Sequence, residues 1–316
     1  MNPYQLEQSG AVTSLYFDCF GGWEQKFLYL SDVHFDSAYC NRGLLEEHLQ
    51  KAIRDGALIF VFGDLFDAMQ GRFDPRRSMK ELREEYRRED YFDFVVEDLA
   101  AFWKPYAANT VLLCKGNHET AVLKNANTDL MDRLAMMLNL KYGASVKAAG
   151  YGGWLRVMLN LSDGNSTGPR RSIKIKYFHG SGGEAPVTRG AIQTNRQAVY
   201  LPDADVVVNG HSHHNYYIPI SRERISNKGI QFFDIQHHVR VPGYKMDYAD
   251  GTGGWTVERG GVPKPNGCVW MTLTVKNGIP ELMFENDIRG AVPVAPIDWG
   301  DGAEYSGQFV QDTEYP

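Results

Sequence analysis

An α/β architecture built on buried strands follows from three features of the chain. Short apolar runs rich in β-branched and aromatic residues recur along it, as in strands covered on both faces. Stretches with apolar residues at helical spacing fall between those runs. Five of the runs end in a polar cluster of Asp, Asn, His and Gly, and in layered α/β folds ligands lie outside the carboxyl ends of the strands.

In chain order, residues 27–30 lead into Ser31-Asp32-Val33-His34. Residues 43–55 carry Leu44, Leu45, Leu49, Ala52 and Ile53 at helical spacing. Residues 58–62 lead into Gly63-Asp64-Leu65-Phe66-Asp67. The stretch 72–90 mixes seven basic with six acidic side chains, which favours a solvated helix with i,i+4 pairs over a nucleic-acid patch. A helix is expected over 91–103, from Phe92, Val95, Val96, Leu99 and Phe102. Residues 111–114 lead into Lys115-Gly116-Asn117-His118-Glu119. Thr128 is the expected N-cap of a helix whose stripe is Leu130, Met131, Leu134, Met137 and Leu138.

Beyond Gly143 the pattern turns to strands. They are expected at 146–148, 154–159 and 173–178, with a loop at 165–169, and 173–178 leads into His179-Gly180. Residues 206–208 lead into Asn209-Gly210-His211-Ser212-His213-His214. Further strands are expected at 216–220, 231–233 and 268–275, with a long Gly- and Pro-rich loop over 247–267. No repeat and no linker is visible. The expectation is one domain over 1–316, with a core of about 26–290 and an acidic extension at 293–316.

Composition narrows the class. At 43% hydrophobic and 23% charged residues the chain reads as an ordinary globular protein. No apolar run approaches the roughly 20 residues of a membrane span, and the N-terminus shows no signal peptide, so a cytoplasmic location is expected. Lys and Arg total 33 against 39 Asp and Glu, a net charge of −6. That gives no global field for nucleic acid but leaves room for a local basic cleft. Four scattered cysteines without a CxxC pair suit free thiols in a reducing compartment and argue against a Cys-rich zinc site.

The polar clusters carry the chemistry. With extended backbone, Asp32 and His34 would point the same way. The Asp64 carboxylate has two oxygens with which to bridge two cations. Asn117 offers an amide oxygen, and His179, His211 and His213 offer imidazoles. Such a thiol-free set suits Mn²⁺, Fe or Zn²⁺ better than Ca²⁺ or Mg²⁺. Each piece alone has a plainer reading: GNHE as a helix start, His179 as a strand-end histidine. The ordered set does not.

The series Asp32/His34, Gly63-Asp64/Asp67, Gly116-Asn117-His118-Glu119, His179-Gly180 and Gly210-His211/His213 resembles the calcineurin-like metallophosphoesterases. The resemblance implies a four-layer α/β/β/α sandwich of two mixed sheets, with a dinuclear site at the strand C-terminal ends. It implies Asp32, His34, Asp64 and His213 as ligands of one divalent ion, and Asp64, Asn117, His179 and His211 as ligands of the other. His118 corresponds to a general acid or phosphate clamp, and Asp67 to the carboxylate that orients it. Segments 71–76, 151–154, 179–183 and 190–196 further resemble phage and prophage members, implying a viral or bacterial source.

The implied activity is phosphoester hydrolysis, first as a phosphodiesterase or nuclease in which a metal-bridging hydroxide attacks phosphorus in line. Mn²⁺ is the first expectation, with Fe or Zn²⁺ as alternatives. A phosphomonoesterase acting on phosphoprotein or nucleotide is the alternative, although Ala68-Met69 stands where protein phosphatases carry Arg-Gly. A non-catalytic metal-binding module is the remote third. Arg72, Arg189 and Arg196 are candidate phosphate contacts. Tyr151, Trp154, Tyr216 and Tyr217 are candidates for base stacking or for packing. His214, His237 and His238 are expected in exposed turns at the rim.

Overall fold

The computed structural model describes residues 4–68, 81–162, 167–182, 188, 190–246, 248 and 261–289. The chain opens with an antiparallel pair, β1 (Gln5–Ser9) and β2 (Val12–Cys19), followed by β3 (Glu24–Leu30). Then come α1 (Arg42–Arg54), β4 (Leu58–Phe62), α2 (Tyr91–Trp103) and β5 (Thr110–Cys114). Next are α3 (Asn117–Ala126), α4 (Leu130–Tyr142), β6 (Lys147–Ala149), β7 (Gly152–Ser162) and β8 (Thr167–Phe178). The rest is α5 (Ala191–Tyr200), β9 (Val206–Asn209), β10 (Tyr216–Ile225), β11 (Gln231–Arg240), β12 (Asn266–Lys276) and β13 (Ile279–Arg289).

Two mixed sheets result. One has the order β13-β12-β3-β4-β5-β6, with β3 to β6 parallel; the other runs β1-β2-β7-β8-β9-β11-β10. Within the first sheet, β4 and the second half of β3 are continuously apolar because each serves two cores. In β3, Leu28 and Leu30 face the helices, while Phe27 and Tyr29 face the second sheet. In β4, Ile59 and Val61 face the helices, while Leu58, Phe60 and Phe62 face the second sheet. This period-two split is what a continuous apolar run produces when both faces are covered. Helices α1, α2 and α4 close the first outer face through Leu45, Leu49, Val95, Val96, Leu99, Leu134 and Leu138.

The second sheet has a thinner cover. Helix α5 is the crossover between the parallel strands β8 and β9. Val239 belongs to the core between the sheets, so the even-numbered residues of β11 and their β10 partners face outward. Thr194 of α5 bonds Tyr216 on that outward side, and Gln236 donates to the carbonyl of Leu201, just past the helix. The layering is α/β/β/α, with α5 as the fourth layer among the described residues.

Several local expectations need correction. Asp129, not Thr128, caps α4, accepting from the Asp132 amide at 3.1 Å, while Thr128 accepts from Arg133. The charged helix expected over 72–90 is absent from its described part. Residues 81–90 hold a β-bridge from Leu82 to Ser37 and a 3₁₀ turn at Glu84–Tyr86, because Leu82 and Tyr86 are buried and Arg83 donates to the carbonyls of Ser37 and Cys40. Gly168 and Pro169 belong to β8 rather than to a loop. His237 and His238 sit on β11, not in a turn: His238 is buried against Gln236, and His237 bonds Tyr217. Most of the long loop, and the extension 293–316, lie outside the described residues. The four cysteines are free, as expected, and all are buried. No helix among the described residues is long and apolar enough to cross a membrane.

Candidate metal centre

Five chain segments meet where β3, β4 and β5 of one sheet and β8 and β9 of the other end. Backbone bonds tie them together: Asp32 N to Gly63 O (3.0 Å), His34 N to Asp64 O (3.0 Å) and Gly210 N to His179 O (2.7 Å). The expected extended geometry of Asp32-Val33-His34 does not occur. Asp32, His34, Asp64, His211 and His213 all have left-handed backbones, with φ from 50° to 71°. Each such residue costs about 1–2 kcal/mol relative to ordinary backbone, a cost sustained only where the surroundings fix the conformation. Glycines make room for these crossings. A Cβ on Gly116 would fall 2.1 Å from Asp64 Oδ1, and one on Gly210 would fall 2.0 Å from Ser31 Oγ.

The side chains form two groups. In one, Asp32, His34 and His213 bring ligand atoms within 4.8 Å of one another. His34 Nε2 faces His213 Nε2 at 3.3 Å, and Asp32 Oδ1 lies 3.4 Å from His213 Nε2. In the other, Asp64, His179 and His211 meet the same limit. Asn117 Oδ1 lies 2.7 Å from His211 Nδ1 and 3.2 Å from His179 Nε2. Asp64 stands between the groups, since His34, Asp64 and His118 also cluster.

The donor chemistry fits divalent cations. His179 Nδ1 donates to the Phe62 carbonyl at 2.8 Å, so a neutral ring presents its Nε2 lone pair to Asp64 Oδ2, 3.1 Å away. His34 Nδ1 lies 2.9 Å from Asp67 Oδ1, and its Nε2 faces the His213 imidazole at 3.3 Å. Asp32 Oδ1 is fully buried without a hydrogen bond. These facing acceptors call for positive charge between them. Burial works against protonating His179, yet the Asp64 and Asp32 carboxylates raise it to about 10. Burial also opposes the Asp64 charge, but His179, His118 and His34 hold its carboxyl well below the usual range.

His118 opens α3 beside Asp64. Its backbone amide donates to Asp64 Oδ1 at 2.9 Å, and its Nδ1 bonds the Asp67 backbone carbonyl. Orientation of His118 therefore comes chiefly through the Asp67 carbonyl. The Asp67 carboxylate lies 3.9 Å from His118 Nδ1 and is closer to His34 and to Lys245 (3.3 Å). Burial draws the His118 imidazole below its ordinary value.

Three further residues build the site: Glu119, which closes the GNHE motif, and Asp36 and Lys245, which belong to none of the motifs. Glu119 accepts the amides of Asp64 (3.1 Å), Phe66 (3.0 Å) and Gly116 (2.7 Å), stapling the β4 and β5 ends together. Burial and the Asp64 charge push its carboxyl up to about 7. Asp36 accepts the amides of Asp67 (2.7 Å) and Ala68 (3.0 Å) and the Tyr91 hydroxyl. Its place two residues after His34 continues the Asp32-x-His34 alternation, a signal the sequence does contain. Lys245 pairs with Asp67 and with Glu81 (2.9 Å), and nothing local in the sequence marks it.

The remaining candidates are placed elsewhere. Arg196 is exposed on α5 and makes no hydrogen bond or ion pair with another described residue. Arg72 and Arg189 lie outside the described residues. Tyr151 packs edge-on against His179 and donates to the Gly180 carbonyl. Trp154 lies under Lys176, Tyr216 contacts Arg240, and Tyr217 stacks on Phe284. His214 contacts Lys264.

The model of the calcineurin-like phosphoesterase family matches residues 25–215. No curated protein sequence matches the chain. Among solved structures, vacuolar protein sorting 29 from Cryptosporidium parvum is similar at 11% identity and a TM-score of 0.36, over 84% of this chain and 100% of that one. A predicted phosphoesterase from Streptococcus pneumoniae is similar at 12% identity and a TM-score of 0.29, over 84% and 99%. The family match spans more than half of the chain and contains every motif of the centre, from Asp32 to His213; the chain belongs to the calcineurin-like phosphoesterases, a family of metal-dependent phosphoester hydrolysis.

Proposed function

We propose that the chain is a phosphodiesterase acting on nucleic acid, with two divalent ions held by the clusters on either side of Asp64. The observation that carries the reading is the position of Asp64. Its carboxylate is within 4.8 Å of ligand atoms from His34 on one side and from His179 and His211 on the other. Asp32, His34, Asp64 and His213 would hold one ion, and Asp64, Asn117, His179 and His211 the other. Mn²⁺ is the proposed metal, with Fe and Zn²⁺ compatible with the same donors. Bound there, the ions would supply Lewis-acid activation of water and neutralise phosphoryl charge.

The chain's own groups do the rest. The left-handed residues and the Glu119 staple hold the donors in place before substrate arrives, so positioning is built in. His118 keeps Nδ1 on the Asp67 carbonyl, which leaves Nε2 to protonate the departing oxygen. An anionic phosphate beside this ring favours its protonated form and so offsets the effect of burial.

Two cations near the centre support a diester over a monoester. Lys245 is paired with Asp67 and Glu81, and Arg240 donates to Gly210 O, Ser212 Oγ and Tyr216 Oη. A terminal phosphate dianion would find both engaged with the protein. A diester carries a single charge and demands less. The test is incubation of metal-stripped protein, with Mn²⁺ restored, on end-labelled single- and double-stranded DNA and RNA oligonucleotides. Internal cleavage is expected; release of terminal phosphate alone would overturn the diester reading.

A further inference from the structure

Away from the centre above, His48 of α1, Cys268 of β12 and Asp287 of β13 bring their ligand atoms within 4.8 Å of one another. Cys268 and Asp287 are directly opposite across the antiparallel pair, so their side chains share a face. Helix α1 sets His48 on that face. His48 and Cys268 are fully buried, whereas the Asp287 side chain is 20% exposed, giving the cluster a side open to solvent.

The histidine ring supplies an independent observation. Tyr244 Oη bonds its Nδ1 at 2.7 Å. Nε2 is buried, makes no hydrogen bond, and faces Asp287 Oδ2 at 3.5 Å. With bonds of about 2.0–2.2 Å to nitrogen and oxygen, two ligands of a tetrahedral zinc ion stand roughly 3.4 Å apart. The observed separation has the size of such an edge.

We propose that His48, Cys268 and Asp287 bind one zinc-class divalent ion at a site separate from the proposed catalytic centre, with water as the fourth ligand. Imidazole, thiolate and carboxylate together select Zn²⁺ over Mg²⁺ or Ca²⁺, which want oxygen donors throughout. Tyr244 plays the outer-shell role, holding the other ring nitrogen of a ligating histidine. Binding forms three bonds from the protein and releases the Cys268 thiol proton to solvent, with no change of oxidation state. The scattered cysteines argued against a Cys-rich zinc site. A mixed site assembled from residues 48, 268 and 287 has no spacing signature to find.

The ion would tie α1 to the start of β12. Gly267 donates to Gly243 O at 3.0 Å, and a Cβ on Gly243 would lie 2.9 Å from Asp32 O. The site therefore braces one wall of the catalytic centre.

Cobalt(II) titration of the metal-stripped full chain is the test. A thiolate–cobalt bond gives a near-ultraviolet charge-transfer band, and no thiol belongs to the other ligand set. The expected result is a band whose final amplitude corresponds to one thiolate-bound cobalt per chain, that survives Asp32→Asn and disappears in Cys268→Ser. Asp287→Asn, at a partly exposed position, should weaken cobalt binding by more than about tenfold, the loss seen even for outer-shell partners. Circular dichroism establishes that the variants are folded. No band in the folded wild type, a band that persists in Cys268→Ser, or unchanged affinity in Asp287→Asn would each overturn the site.

Discussion

Asp64 is gripped from several directions. Glu119 accepts its amide, the His118 amide bonds its Oδ1, and His179 lies against its Oδ2. Gly116 leaves the space this packing needs. Gly116→Ala would drive a methyl group into Asp64 Oδ1 and its backbone nitrogen, 2.1 and 2.5 Å away. A loss of about 1–3 kcal/mol is expected, read by urea unfolding, together with weaker Mn²⁺ binding by calorimetry; wild-type stability would contradict the crowding. His118→Ala should behave differently. It removes the proposed proton donor and no proposed ligand, so metal content by elemental analysis should hold while kcat falls about 10²–10⁴-fold. Unchanged turnover would take His118 out of the mechanism. The ligand candidates were legible because each motif is local: two or three residues at the end of an apolar run. Asp36 and Lys245 stand in no motif, since their importance arises from contacts with Asp67 across the fold.

At the scale of elements, α2 runs over the expected residues, and α1 and α4 begin within one or two residues of expectation. Their apolar stripes pack on one broad core, so periodicity reports them directly. Capping was harder to read. Thr128 and Asp129 both have suitable side chains, and only the path of the chain selects Asp129. Asp129 also pairs with Lys115 at 2.7 Å, joining α4 to the polar cluster after β5. Asp129→Ala should therefore cost about 1–2 kcal/mol, whereas Thr128→Ala should cost less; equal losses in thermal or urea unfolding would contradict the assignment. Strand β2 leaves a weak mark in the sequence although Leu15, Phe17 and Cys19 alternate inward, because its outward residues dilute the run. In β13, Pro280 and four acidic or amide side chains mask a strand held mainly by its pairing with β12. The exposure pattern of α5 places only Thr194 and Gln197 inward, too polar a stripe for sequence to single out.

The molecule as a whole joins two sheets through one apolar core and sets its polar chemistry at one end of them. Burial elsewhere leaves a mark on pH dependence. Desolvation lowers His238 on β11 to about 4, against about 6.5 for an unfolded histidine. Below pH 6.5 the unfolded chain takes up a proton that the folded chain refuses. His238 thus makes stability fall as pH drops from 6.5 to about 4, and contributes no slope above that window. His238→Gln should flatten this part of the stability profile in urea unfolding at stepped pH. An unaltered slope would show that the ring is not desolvated in the fold.

The proposed metal-dependent phosphodiesterase centre around Asp64 is open to a direct test. The most direct measurement compares hydrolysis of bis(p-nitrophenyl) phosphate and p-nitrophenyl phosphate by metal-stripped protein, before and after Mn²⁺ is restored. The account predicts no turnover without metal, and with it faster cleavage of the diester, abolished by Asp64→Asn. Faster monoester cleavage, or no cleavage of either ester with both ions bound, would contradict it.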